Sequence, residues 1–356
     1  MIPPPPQDTD GPIRLTDNDA ALAKLSAVRQ NYLSDPFIKY FVPRASFQPP
    51  RPPLINVGTF IRTVAIDDLV DQWIDLSTKE GRKCQIVSLG AGSDTRFWRL
   101  WTGPQKHCLS AYVEVDFPEI TMKKAMAIRK NKDLSTVLGD VRLEQGGTAL
   151  SSPIYHLFPA DLRLDPSTAL GSLTTATAGA PALLDPSLPT LLVFECVLVY
   201  MSPQESNALL QWFQTYFSSH NQGNLGAIVY EMFGLGDSFG RVMVANLKAR
   251  NVSLPGATPY PTLESLPSRF LNLNFTAARA LTLKDIRRTY VDPGELDRIK
   301  RLEMLDEVEE LDLVLEHYAI TWGLSISGSG TDLQAHWRDW GLKKKERREE
   351  DEIYCN

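Results

Sequence analysis

Three things are scarce in this 356-residue sequence, and each shortage excludes a class of protein. Its four cysteines form no CxxC pair, so we expect neither a disulfide scaffold nor a zinc finger, and no metal. Basic charge is not in excess: 37 Lys and Arg against 43 Asp and Glu give a net charge of −6, which disfavours nucleic-acid and membrane partners. The strongest apolar run, 190–201, is interrupted by Glu195 and is far shorter than the roughly 20 residues that span a bilayer. Since the amino terminus shows no signal-peptide pattern, we expect a cytoplasmic protein.

The first 80 residues predict a tail and a pair of helices ahead of any strand. Residues 1–15 are rich in proline and predict a disordered tail. Residues 16–80 predict an N-terminal helical lid. Its helices are predicted over 17–33, with Thr16 as N-cap and Asp35-Pro36 as the end, and over about 57–73.

Short β-branched segments alternate with helical patterns between residues 81 and 325, which predicts βαβ units in one main domain. The strands are predicted at 85–89, 112–115, 190–195, 226–231 and 318–324, and the helices at 120–129, 204–217, 238–250 and 295–314. We interpret 165–188 as an irregular insertion loop. Residues 326–356 predict a C-terminal extension, in which the charged stretch 343–352 is expected to be solvated and mobile.

A glycine-rich turn follows the first predicted strand and carries the clearest chemical signal. Gly90-Ala91-Gly92 allows the backbone to approach a nucleotide-derived ligand closely, either a dinucleotide or S-adenosylmethionine. Asp94 favours the second, because that ligand carries a sulfonium and an ammonium and no phosphate. Thr95 stands where a dinucleotide fingerprint requires a small third residue, which weakens an NAD-dependent oxidoreductase. The alternative interpretation, in which the turn serves packing alone, remains open at this point.

Two acids end later strands. Asp116 follows Gly90 by 26 residues, near the offset at which a carboxylate binds ribose hydroxyls, although it could equally cap the helix that Phe117-Pro118 begins. Glu195 lies in a run that is apolar on both sides, so it faces a cleft at the carboxyl edge of the sheet or pairs with an arginine at the edge of the core. Tyr200 precedes the next helix and could project into the same cleft.

These residues belong to an ordered set of motifs that resembles the leucine carboxyl methyltransferase family. Its members use S-adenosylmethionine to methylate the C-terminal leucine carboxylate of type 2A protein phosphatase catalytic subunits. The matching motifs run in order from about residue 16 to 323: Asp35-Pro36-Phe37-Ile38, Leu89-Gly90-Ala91-Gly92-Ser93-Asp94-Thr95, Glu114-Val115-Asp116-Phe117-Pro118, Ala160-Asp161-Leu162-Arg163, Glu195-Cys196-Val197-Leu198-Val199-Tyr200-Met201, Tyr230-Glu231 and His317-Tyr318.

The resemblance implies an α/β fold, a class I S-adenosylmethionine-dependent methyltransferase. This fold is Rossmann-like: a mostly parallel sheet with helices on both faces and an antiparallel edge strand, here with an N-terminal helical extension. The implied cofactor is S-adenosylmethionine, with S-adenosylhomocysteine as product and no metal. The implied partner is the C-terminal tail of the phosphatase catalytic subunit, without nucleic acid or membrane, and we expect a monomer.

The resemblance also implies a role for individual residues. Lys24 and Arg62 would contact the donor, Arg62 at its methionyl carboxylate. Gly90 would supply the close backbone approach, and Asp116 would hold the ribose. Asp161 and the Leu162 backbone would recognise the adenine edge, and Glu195 would bind the methionyl ammonium. Arg62 and Tyr200 would organise donor and acceptor. Tyr200 and Tyr230 would line the peptide groove.

The sequence departs from the family in a few places and leaves related activities open. Val57 precedes Gly58 where the family usually has arginine, and the 165–188 loop and the tail look longer than usual. The nearest alternatives are a tRNA wybutosine-type carboxyl methyltransferase and a small-molecule carboxyl methyltransferase of the same superfamily. The first typically adds a long β-propeller, for which the 32 residues after Leu324 leave no room. A non-catalytic adaptor on the same scaffold is disfavoured, because all donor-contact positions are retained.

Overall fold

A nine-stranded sheet forms the centre of the computed structural model, which describes residues 10–176, 181–219, 223–306, 308–327 and 336–345. The strands are β1 Cys84–Leu89, β2 Leu109–Asp116, β3 Arg142–Glu144, β4 Ala149–Ser151, β5 Tyr155–Pro159, β6 Thr190–Glu195, β7 Leu225–Met232, β8 Ala277–Thr282 and β9 Tyr318–Ser325. Their order across the sheet is β3-β4-β5-β2-β1-β6-β7-β9-β8. The five strands from β5 to β7 are parallel, and antiparallel strands close both edges. The predicted mostly parallel sheet is confirmed.

Helices cover both faces of this sheet, as predicted. They are α1 Gly11–Arg29, α2 Pro53–Lys79, α3 Arg96–Thr102, α4 Pro118–Lys130, α5 Lys132–Leu138, α6 Pro166–Thr174, α7 Pro203–Ser218, α8 Ser238–Ala249, α9 Ser268–Leu271, α10 Leu283–Asp285, α11 Pro293–Ile299 and α12 Val308–Glu316. Alternate residues of each central strand enter different cores: Ile86 packs in the cluster that contains α2 to α5, and Val87 in the cluster that contains α6 and α7. Burial on both faces explains why these strands are mostly apolar.

The register of the parallel strands brings three predicted site residues together. Leu89 at the end of β1 pairs with Val115 of β2 and Phe194 of β6. The residues that follow, Gly90, Asp116 and Glu195, therefore lie side by side at the carboxyl edge of the sheet. This edge is where ligands bind in open α/β sheets.

The first helix begins earlier than its sequence suggests. α1 starts at Gly11 and not after Thr16, whose hydroxyl donates to the Ile13 carbonyl at 2.7 Å from inside the helix. The helix ends at Arg29 and not at Asp35-Pro36, because Asn31 adopts a left-handed conformation with φ 62°. The predicted tail over 1–15 is therefore wrong for 11–15, and residues 1–9 lie outside the described residues. The long second helix is confirmed as α2.

Two other local predictions need correction. The 165–188 stretch is not all loop: Asp165 caps α6 by accepting from the Thr168 amide at 3.0 Å, and α6 buries Leu170 and Leu173 against the sheet. Residues 177–180 lie outside the described residues. The helix predicted over 295–314 is two helices, α11 and α12, because turns at 300–303 direct the partly buried Leu302 toward the core.

The C-terminal extension packs on the second helix. Trp337 and Trp340 stack edge-on against Trp73 of α2, and the Trp340 indole donates to the Leu69 carbonyl at 2.9 Å. Lys343 to Lys345 are exposed as expected, and the rest of the charged stretch lies outside the described residues. Among the described helices, none combines the length and the hydropathy needed to cross a membrane.

Candidate functional site

A cavity of about 660 Å³ lies at the carboxyl edge of the sheet, between the central strands and helices α1, α2 and α8. Eight of the nine predicted site residues line it: Lys24, Arg62, Gly90, Asp116, Asp161, Leu162, Glu195 and Tyr200. The ninth, Tyr230, is buried behind this wall. The cavity therefore brings together eight predicted residues, of which Lys24 and Tyr200 are 176 positions apart in the sequence.

The glycine-rich turn follows β1 directly and forms the floor of the cavity. Gly90 has φ +68°, and a Cβ added to it would collide with the Val197 side chain. Gly92 has φ +48°, and its added Cβ would lie 2.6 Å from Oδ1 of Asp17 on α1. Both positions require glycine for conformation and for space.

Asp116 lies beside this turn with its carboxylate held by the backbone. The Gly92 amide donates to Oδ2 and the Phe117 amide donates to Oδ1, each at 2.7 Å. Burial raises the pKa of Asp116 to about 6, although these two hydrogen bonds act in the opposite direction. The alternative of a helix cap is wrong, because Phe117 is the N-cap of α4 and no side chain caps that helix. A carboxylate can accept about four hydrogen bonds, so Asp116 keeps acceptor capacity for the predicted ligand contact.

Two arginines share the carboxylate of Glu195. Arg62 of α2 donates from Nε to Oε2 at 2.7 Å, and Arg96 of α3 donates from Nη2 to Oε1 at 2.8 Å. Burial alone would raise the pKa of Glu195, but the guanidinium groups of Arg62 and Arg96 hold it below its ordinary value. Glu195 thus faces the cavity and pairs with arginine at the same time, so both interpretations of its sequence context are correct.

Lys24 connects α1 to the glycine-rich turn. Its ammonium donates to the Thr95 hydroxyl at 2.8 Å and lies 3.1 Å from Oδ2 of Asp35 and 3.7 Å from Oδ1 of Asp94. On the same helix, Asp17 accepts from the Ser93 amide at 2.6 Å. The N-terminal helix is therefore attached to the turn by charged and polar contacts.

Asp161 and Leu162 occupy the far end of the cavity, next to β5. Arg163 donates to the Asp161 carboxylate from its backbone amide at 3.0 Å and from its side chain at 2.7 Å, and it also pairs with Asp10 at 2.8 Å. Burial would raise the pKa of Asp161, but the hydrogen bond from Arg163 lowers it. Leu162 is buried and lines the cavity. The adenine-edge roles of this pair stay predictions.

The tyrosines divide into one cavity wall and one support. Tyr200 lines the cavity, and burial raises the pKa of its hydroxyl, so it stays protonated. Tyr230 lies under the Arg62 guanidinium, 4.7 Å from ring centre to Cζ, and stacks on Tyr318 at 5.4 Å. Tyr318, which the sequence analysis did not assign to the site, is the tyrosine of this stack that lines the cavity. Cys196 also lines it, and burial raises the pKa of its thiol to about 12, which leaves it protonated and unreactive.

Sequence reasoning missed two partners in this network, the buried Arg96 and the partly buried Asp67. Arg96 donates from Nε to Oδ1 of Asp67 at 3.0 Å and from Nη1 to Oδ2 of Asp94 at 2.7 Å. The available signal was a charge inside an otherwise apolar helical pattern. Within the described part of the chain, no group of three or more His, Cys, Asp or Glu side chains is placed to hold a metal ion.

Another part of the cavity lining contains a group of apolar side chains. It is formed by residues after β6, at the end of β7 and on α8: Met201, Met232, Met243 and Leu247. Helix α8 buries only Gly240 completely. This side of the cavity is therefore suited to an apolar group.

Comparison with known proteins identifies clear relatives. The leucine carboxyl methyltransferase family matches residues 14–214. The chain is 45% identical to leucine carboxyl methyltransferase 1 of Cryptococcus neoformans var. neoformans over 349 residues, which cover 90% of this chain and 95% of the relative. It is 41% identical to leucine carboxyl methyltransferase 1 of Aspergillus fumigatus, over 91% of this chain and 85% of the relative. It is 34% identical to that of Bos taurus, over 89% of this chain and 91% of the relative.

Proposed function

This chain belongs to the leucine carboxyl methyltransferase family, and from that premise we propose that it methylates the C-terminal leucine carboxylate of the catalytic subunit of type 2A protein phosphatase, with S-adenosylmethionine as donor. Methyltransferase activity follows from membership of the family. The observation that carries the finer proposal is the similarity to leucine carboxyl methyltransferase 1 proteins along about 90% of the chain.

The residues around the cavity fit the proposed donor. Gly90 lines the cavity and has no side chain, so a ligand can approach its backbone closely. Asp116 keeps acceptor capacity for ribose hydroxyls, and Glu195 offers negative charge for an ammonium. When bound, S-adenosylmethionine supplies a methyl group attached to a positively charged sulfur atom. The ionised acids at the floor of the cavity suit that charge.

Arg62 is the residue best placed to bind a carboxylate group in the cavity. A guanidinium has five N–H donors, and the bonds to Glu195 use only its Nε and Nη2 side. Its side chain is 26% exposed and lines the cavity, and Tyr230 supports it from behind. Arg62 can therefore keep Glu195 and still bind the methionyl carboxylate.

The acceptor needs positioning more than activation. A C-terminal carboxyl has a pKa of about 3.3–3.7, so it is already ionised at neutral pH and needs no general base. Holding two reactants in line can lower a barrier by as much as ~7–11 kcal/mol. Tyr200 contributes here as a protonated hydroxyl that can donate to the acceptor carboxylate, and the methionine-lined wall suits a leucine side chain.

The test is transfer of a labelled methyl group. Purified protein is incubated with methyl-labelled S-adenosylmethionine and the phosphatase catalytic subunit, either intact or lacking its terminal leucine. We expect label in the intact subunit only. Equal labelling of both subunits would contradict the proposed acceptor. Transfer to a small carboxylic acid and not to the protein would indicate a small-molecule methyltransferase instead.

A further inference from the structure

Arg96 is a buried arginine for which the proposed function gives no role. Its side chain is only 3% exposed, and each of its three guanidinium nitrogens bonds a carboxylate from a different part of the fold. Nε bonds Asp67 of α2 at 3.0 Å, Nη1 bonds Asp94 after the glycine-rich turn at 2.7 Å, and Nη2 bonds Glu195 at the end of β6 at 2.8 Å. One side chain thus connects three pieces of the cavity wall.

The two arginines that share Glu195 are not equivalent. Arg62 bonds Oε2 and is 26% exposed toward the cavity, whereas Arg96 bonds Oε1 and is almost fully buried. A ligand carboxylate in the cavity would accept hydrogen bonds from Arg62, the more exposed of the two arginines. The bond from Arg96 to Oε1 does not depend on Arg62, so Glu195 keeps a charged partner in both states.

We propose that Arg96 is the positioning residue of the donor site: it fixes Glu195 and Asp94 against each other and thereby leaves Arg62 available to the donor. This inference rests on the proposed function, since it takes the cavity to be the donor site. It is a statement about binding geometry and requires no contact between Arg96 and the reacting atoms.

The structural contact between α3 and α2 does not depend on Arg96 alone, because a neighbouring arginine also makes it. Arg99 lies one helical turn further along α3 and bonds the same Asp67, at 2.5 Å from Nη1 to Oδ2 and 3.0 Å from Nη2 to Oδ1. Arg99 therefore ties α3 to α2 without reaching Glu195. What Arg96 adds is the link to Glu195 and Asp94.

The experiment measures binding of S-adenosylhomocysteine to the full chain by calorimetry, alongside kcat and KM for the donor. The variants are Arg96→Gln, Arg96→Lys and the matched control Arg99→Gln. Lysine keeps the charge that the three acids require, but one ammonium cannot reproduce the fork, so this variant remains informative if Arg96→Gln fails to fold. We expect both Arg96 variants to weaken binding about ten-fold and to raise KM for the donor, with kcat at saturating donor within about three-fold. Arg99→Gln should lower the melting temperature but change binding less than about two-fold.

A double-mutant cycle with Glu195→Gln separates positioning from general destabilisation. If Arg96 acts through Glu195, Arg96→Gln in the Glu195→Gln background should cost less than about two-fold in binding. Equal losses in the Arg96 and Arg99 variants, or a full additional loss in the double variant, would overturn the proposal. Failure of the proposed function would look different: the wild type would bind S-adenosylhomocysteine and show the Arg96 effect, yet leave the phosphatase unmethylated.

Discussion

The two long walls of the cavity are built in opposite ways. The donor wall consists of the glycine-rich turn with Lys24, Arg62, Arg96, Asp116 and Glu195, and it is dense with partly buried ion pairs. The acceptor wall consists of Met201, Met232 and, on helix α8, Met243 and Leu247, and these side chains are apolar. Helix α8 buries only Gly240 completely, whereas Asp35 behind the donor wall is 1% exposed.

Under the proposed function, the difference matches the group that each wall would recognise. A small polar donor with fixed charges is best held by preorganised groups, and several carboxylates and arginines that share partners cannot move independently. An apolar terminal residue on a protein needs a surface that adapts, and methionine side chains do so at low cost. We therefore expect substitutions on the donor wall to change donor binding strongly, and substitutions on the acceptor wall to change acceptor KM modestly.

The largest effect is expected for Arg62→Ala. The substitution leaves Glu195 with one arginine and removes the proposed carboxylate contact, so kcat/KM should fall by about 1,000-fold and donor affinity should fall with it. Arg142→Ala is the matched control, because Arg142 is exposed on β3 and, among the residues that the structure describes, pairs with the nearby Asp140 alone. Steady-state kinetics and S-adenosylhomocysteine binding measure both quantities. Normal affinity together with normal turnover in Arg62→Ala would remove Arg62 from the site.

A comparison of two glycines sharpens the case for the floor of the donor wall. Gly90 and Gly81 have almost the same φ, +68° and +69°, but of the two only a Cβ on Gly90 would meet a described neighbour, Val197. Both Ala variants should lose about 1–2 kcal/mol of unfolding free energy from the left-handed strain. Gly90→Ala should in addition lose about 50-fold in donor affinity, because the turn must shift to relieve the collision. Unchanged donor affinity in Gly90→Ala would mean that the turn does not touch the donor.

Asp116 is expected to make donor binding depend on pH. Its pKa is raised to about 6, so the carboxylate is protonated below that pH and loses acceptor capacity for ribose hydroxyls. Affinity for S-adenosylhomocysteine should therefore rise as the pH increases through about 6, and Asp116→Asn should weaken binding about ten-fold at pH 7.5 and flatten the profile. Calorimetry at a series of pH values measures this. A wild-type profile identical to that of the variant would contradict the assignment.

The smallest effect is expected on the acceptor wall. Met243→Ala shortens a cavity-lining side chain of α8, which should raise KM for the phosphatase about five-fold and leave donor affinity unchanged. Val242→Ala next to it is the control, because Val242 does not line the cavity. If Met243→Ala weakened donor binding instead, the division into two walls would be wrong.

Much of this arrangement could be predicted from short-range patterns. The run 190–195 is apolar, β-branched and bounded by turn signals, and it is a strand over the same residues. The motifs at Gly90, Asp116 and Glu195 each end a parallel strand, so sheet geometry alone places them at one edge. The helix predicted over 204–217 is α7, which begins one residue earlier and ends one residue later.

The remainder depends on contacts that leave no local pattern. Arg96 lies 29 positions from Asp67 and 99 from Glu195, and no periodicity relates such residues. We predicted Tyr230 to lie along the peptide groove. In the structure, where β7 pairs with β9, Tyr318 lines the cavity and Tyr230 lies behind Arg62. The burial of Trp337 and Trp340 in the tail was also hidden, because their partner Trp73 lies far away in sequence.

The account is tested most directly by locating the methyl group on the phosphatase. Intact catalytic subunit is incubated with S-adenosylmethionine and either the wild-type protein or Arg62→Ala, and the C-terminal peptide is then analysed by mass spectrometry. We predict one methyl ester on the terminal leucine carboxylate with the wild type and almost none with the variant. A methyl group on an internal side chain, or an unmodified terminal peptide after reaction with the wild type, would contradict it.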